Sequence, residues 1–77
     1  MLKEIPLTKL KEGQSGKVLR IEGGHNMTHR LSVLGIRPGK TITKTSSVFM
    51  RGPVSVKVGH TKVALGFHMA NRIMVEV

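Results

Sequence analysis

The ten residues Arg30-Leu31-Ser32-Val33-Leu34-Gly35-Ile36-Arg37-Pro38-Gly39 compress a helix end, a turn and a strand start into one stretch, and they fix where this chain must change direction. Met27, Leu31 and Leu34 stand at i, i+4 and i+7, which places them on one helical face. Asn26 is the expected cap of the helix start. Gly35 falls where a helix must turn left-handed to stop, and Ile36 then packs back on Leu31 in a Schellman-type ending. Pro38 fixes φ and lacks an N–H, so with Gly39 it turns the chain before the β-branched run Thr41-Ile42-Thr43. A short helix feeding a strand is predicted.

The rest reads mainly as β. Val54-Ser55-Val56-Lys57-Val58 alternates strictly, with three valines on one face, as a half-buried strand requires. Gly59-His60 suits a two-residue hairpin loop, and Thr61-Lys62-Val63-Ala64-Leu65 returns with Val63 and Leu65 on a common face. Phe67 to Asn71 fits one helical turn, after which Ile73, Val75 and Val77 alternate with Met74 and Glu76. The first strand, Lys17 to Glu22, alternates poorly, and either a β-bulge or cover on both faces accounts for it. About five short strands with a short inserted helix predict a small, strongly bent sheet closing into a partly open barrel. At 77 residues the chain makes a single domain, residues 1–77, with a correspondingly small core.

Four stretches taken in order resemble the ferrous iron transport protein A (FeoA) family. They are Ile5-Pro6-Leu7 through Lys17-Val18, Ile21-Glu22-Gly23-Gly24 with the helix-to-turn junction, Gly52-Pro53-Val54 through Val58-Gly59, and Val63-Ala64-Leu65-Gly66 with Met69-Ala70-Asn71-Arg72-Ile73-Met74-Val75. The resemblance implies an SH3-like barrel. It also implies a small accessory or regulatory protein of ferrous iron uptake, whose partner is the membrane ferrous iron permease (FeoB) with its cytosolic GTPase domain. A second reading implied by it is a regulatory or nucleic-acid-binding domain like the one appended to iron-dependent repressors.

Charge and composition narrow the function further. Thirteen Lys and Arg against four Glu and no Asp give a net charge of +9, which points to an acidic partner or surface. The basic residues are scattered, and Phe49 and Phe67 are the only aromatic residues, so the stacking platform of a single-strand nucleic-acid binder is missing. PxxP recognition is likewise excluded, because its grooves are lined by Tyr and Trp and the chain has neither. Without cysteine there is no disulfide or thiolate site, and no apolar run reaches the roughly 18 residues of a membrane span. The N-terminus lacks a signal-peptide core, so the expected setting is the cytoplasm, with the inner face of the membrane reached through the partner.

Catalysis has little to work with: the four Glu are dispersed and no serine has a recognisable base, so the expectation is a protein that is not an enzyme and holds no cofactor. His25 and His29 have the i, i+4 spacing of helical metal ligands but no third ligand nearby, and with Asn26 as cap His25 falls outside the helix. No metal site is therefore expected. Gly35-Ile36-Arg37-Pro38-Gly39-Lys40-Thr41 mimics a phosphate-binding loop but has one residue too few between its glycines and leads out of a helix, whose negative end repels phosphate. The candidate contact residues are Phe49, Met50 and Arg51, types enriched at interface cores, with Arg37 and Lys44 as rim positives that steer an acidic partner.

Overall fold

The computed structural model describes residues 3–46 and 52–77. Six strands run β1 (Glu4–Pro6), β2 (Ser15–Ile21), β3 (Thr41–Lys44), β4 (Val54–Val58), β5 (Thr61–Leu65) and β6 (Ile73–Glu76), with helix α1 (His25–Val33) between β2 and β3 and the single turn α2 (Phe67–Ala70) before β6. They form one antiparallel sheet in the order β1-β6-β2-β3-β4-β5, open between β1 and β5. This is the expected partly open SH3-like barrel, with six strands in place of five. The unforeseen strand is β1, whose three residues pair with β6 at Ile5–Val75 while Lys3 and Val77 exchange two backbone bonds of 2.9 Å.

The junction folds as its residues dictate. Gly35 has φ 91°, its N–H reaches Ser32 O at 2.9 Å, and Ile36 N–H reaches Leu31 O at 2.9 Å, the paired bonds of a Schellman stop. Leu31 and Ile36 are both fully buried, so the stop is also a hydrophobic clasp. Lys40 N–H then closes the Arg37-Pro38-Gly39 turn on Arg37 O at 3.1 Å, with Gly39 at φ 93°. Gly39 and Lys40 bond Val18 O and Val18 N–H, each at 2.8 Å, which locks the turn to β2. The helix itself starts earlier than expected: Gly24 is the cap, and Asn26 lies inside the first turn. Glycine is an accepted N-cap residue, and the ladder begins with Thr28 N–H on Gly24 O at 3.0 Å.

The poor alternation of β2 has a bulge behind it. Its register against β6 shifts between Val18 and Arg20, so Leu19 is the extra residue. Gly16 completes the explanation: it is buried, and a Cβ there would stand 3.0 Å from Val75 Cβ, so a larger residue would push β2 and Val75 of β6 a few tenths of an ångström apart. The core between the sheet's inner face and α1 contains Val18, Leu31, Ile42, Val54, Val56 and Ile73, none more than 1 % exposed.

Candidate interaction surface

The strand registers place the charged residues in two unlike groups. On the β1–β6–β2 side Arg20 grips Glu4 with both arms, Nη1 to Oε1 at 2.5 Å and Nη2 to Oε2 at 2.6 Å, and also reaches Glu22 Oε2 at 3.2 Å. That fork holds the Glu4 carboxyl below the usual carboxylate range and the guanidinium above its own. Lys17 stands directly opposite Glu76 in the same half. From residue 23 to residue 75, by contrast, the chain contains no acid at all. This segment includes β3, β4 and β5, where Lys57 on β4 stands directly opposite Lys62 on β5. Among the described residues neither makes an ion pair, and a like-charged cross-strand pair is unfavourable on its own.

At the end of this acid-free half an open groove of about 400 Å³ runs between the helix exit and the tip of the β4–β5 hairpin. Leu34 and Val58 give its lining apolar surface, and Arg37 and Lys40 line it with positive charge. Val33 and Leu34 beside it are the large hydrophobic side chains left exposed among the described residues, at 74 % and 39 %. The walls are preorganised, since the Schellman stop and the turn bonded to Val18 hold one and the hairpin the other. Apolar contact flanked by cations is the surface chemistry of a protein interface.

Arg37 is exposed and lines this groove. Lys44 is not: it is 4 % exposed, and its ammonium donates to Leu10 O at 2.7 Å and Thr8 O at 3.1 Å. It ties β3 to the 3₁₀ turn over Leu7–Lys9, and burial pulls its amine below the ordinary lysine range. The signal was in the sequence, because alternation through Thr41-Ile42-Thr43-Lys44 puts Lys44 on the inner face with Ile42. Phe49, Met50 and Arg51 lie outside the described residues. His25 and His29 both fall inside α1 and are exposed, and no group of three His, Cys, Asp or Glu is placed to hold a metal among the described residues. The groove residues Leu34, Lys40 and Val58 went unread as a site, since only tertiary structure brings residues 34–41 against 58–61.

No helix among the described residues is long and apolar enough to cross a membrane. A search of curated proteins finds no match to the chain. Among solved structures, an iron uptake regulatory protein (FeoA) is 36% identical, with 97% of this chain and 100% of that chain covered and a TM-score of 0.89. A FeoA-like protein from Clostridium acetobutylicum is 25% identical over 100% of this chain and 90% of its own, with a TM-score of 0.83. A manganese-dependent transcriptional repressor shares the fold over 97% of this chain but 42% of its own, at 24% identity and a TM-score of 0.86. The model of the FeoA domain family matches residues 5–77, and the chain belongs to that family.

Proposed function

We propose that this protein is a small accessory regulator of ferrous iron uptake, acting in the cytoplasm by docking on the GTPase-bearing cytosolic domain of a FeoB-type ferrous iron permease. Membership of the FeoA domain family over residues 5–77 gives the iron-transport setting. The observation that favours docking over chemistry is the surface itself: a groove lined by Leu34 and Val58 with Arg37 and Lys40, which make no ion pair among the described residues and belong to a segment, residues 23–75, without a single acid. In this reading Leu34 and Val33 supply contact area, which governs dissociation, while Arg37 and Lys40 steer an acidic partner and govern association.

The test is direct binding of the full chain to the purified cytosolic domain of the permease at several salt concentrations. The reading expects binding that weakens as salt rises, and Arg37→Glu to slow association and flatten that dependence. No binding at low salt would refute it. The rival reading as a repressor-type regulatory domain is favoured by the fold shared with the manganese-dependent repressor, and it expects instead association with a DNA-binding module.

A further inference from the structure

Strand β5 ends the sheet, and its outer edge is unpaired among the described residues. Which backbone groups that edge presents follows from the hairpin. The two-residue loop Gly59-His60 makes Val58 and Thr61 the closing pair, so the ladder bonds fall on Thr61, Val63 and Leu65, which face Val58, Val56 and Val54. Lys62 and Ala64 alternate with them and direct their N–H and C=O groups away from β4, into solvent. Both residues are exposed, and among the described residues no other backbone bond uses either amide. A second open hollow lies here, lined by Thr45, Ser46, Ser55, Lys62, Val63 and Ala64.

The side chains say what this edge would accept. On the outer face one row runs across four strands as Ser15, Thr43, Lys57, Lys62, and it ends at the open edge on two facing lysines. Lys57 and Lys62 form the non-hydrogen-bonded pair, in which side chains stand closest, and no carboxylate among the described residues answers them. A lysine on an edge strand repels a second copy of the same edge, which would set Lys62 near Lys62. That guards against self-pairing but gives no reason for Lys57, one strand further in. On the inner face Val63 is only half-buried and borders the same edge.

We propose that β5 is a strand-addition site that takes an extended segment of a partner protein with alternating acidic and apolar residues. Its backbone completes the ladder at Lys62 and Ala64, a carboxylate sets itself beside Lys62 and Lys57, and its apolar residues cover Val63. Lys62 thus rejects self-association and selects the partner by the same charge. This inference rests on reading the protein as a docking module, but its test uses synthetic peptides, so it stands or falls separately from the identity of the permease.

The experiment is titration of the ¹⁵N-labelled full chain with a seven-residue capped peptide alternating Glu and Val, with the same peptide carrying Lys for Glu, and with an oligothymidylate. The expected result is that the acidic peptide shifts residues 61–65 and slows hydrogen exchange at the Lys62 and Ala64 amides, while the lysine peptide does neither. Ala64→Pro removes an edge N–H that the protein's own ladder does not use, and should abolish binding. Lys62→Glu should weaken the acidic peptide about tenfold and let the lysine peptide bind, a reversal that a merely structural role would not produce. Melting curves accompany both variants, and if Ala64→Pro unfolds, the charge reversal decides. Shifts centred elsewhere, no shifts at millimolar peptide, equal binding of both peptides, or tighter binding of the oligonucleotide to the same residues at physiological salt would each overturn the proposal. If the acidic peptide binds at β5 and the permease domain neither binds nor competes, the strand-addition site stands and the permease reading falls.

Discussion

The two halves of the sheet spend charge differently. Around β1, β6 and β2 positive and negative residues are set against one another: Arg20 serves Glu4 and Glu22, and Lys17 stands opposite Glu76 in the ladder. The Arg20–Glu4 fork ties β1 to β2 through residues that stand 16 apart in the chain. Across β4 and β5 Lys57 stands opposite Lys62, and among the described residues neither makes an ion pair. The difference teaches that one half carries charge for its own cohesion and the other carries it uncompensated, as a docking face does.

The largest effect that tests this division is inside the molecule, at the buried Lys44. Lys44→Met should cost about 1–3 kcal/mol, because it leaves the Thr8 and Leu10 carbonyls without their donor, even though it spares the burial of an amine. The pH dependence has a definite sign. The folded pKa lies below the ordinary 10.5, so between the two values the unfolded chain binds more protons and wild-type stability rises with pH, whereas the variant lacks that rise. Denaturant melts between about pH 8 and 10.5 measure both effects.

Gly35→Val comes next. A Cβ there meets only Val58 Cγ1 at 3.7 Å, an ordinary contact, so the penalty is the left-handed backbone alone, about 1–2 kcal/mol. An unchanged denaturation midpoint would contradict the stop. The charge contrast itself is sharpened by a matched pair. Lys57→Thr should stabilise by about 0.2–1 kcal/mol, as it relieves a like-charged pair, whereas Lys17→Thr should destabilise by a similar amount, since Lys17 faces Glu76. Equal effects of the two substitutions would erase the distinction between the halves. The smallest effect belongs to Glu4. Its carboxyl is lowered in the folded protein, so its stabilising contribution is present above the ordinary value of 4.5 and is lost as pH falls through the lower folded value. The difference in melting temperature between wild type and Glu4→Gln should therefore shrink to nothing in strong acid.

What the sequence disclosed depended on how local the determinant was. The Gly35 stop, the Pro38-Gly39 turn, the alternating valines of β4 and the Gly59-His60 hairpin are each set by a few neighbouring residues, and each stands where expected. Strand β1 was not legible, because Glu4-Ile5-Pro6 shows no pattern of its own and becomes a strand only by pairing with residues 74–76 at the other end of the chain. The helix start was misplaced because Asn26 is the better cap by type, while Gly24 supplies the extended backbone and the first accepting carbonyl. For the site, Arg37 was legible as an exposed positive on a rigid turn. Lys44 was misread because its charge outweighed its place in the alternation, and two carbonyls that arrive from residues 8 and 10 are what make its burial tolerable. The groove could not be read at all, since Leu34 and Val58 meet only in the folded chain.

The central claim is that the acid-free half is the docking face. Its most direct test is a map of ¹⁵N chemical-shift changes on the full chain as the cytosolic domain of the ferrous iron permease is added at low and at physiological salt. The account predicts perturbations over residues 33–41 and 57–65 that weaken with salt, and none at Glu4, Arg20, Glu22 or Glu76. Perturbations centred on the β1–β6 edge, or a surface response indifferent to salt, would contradict it.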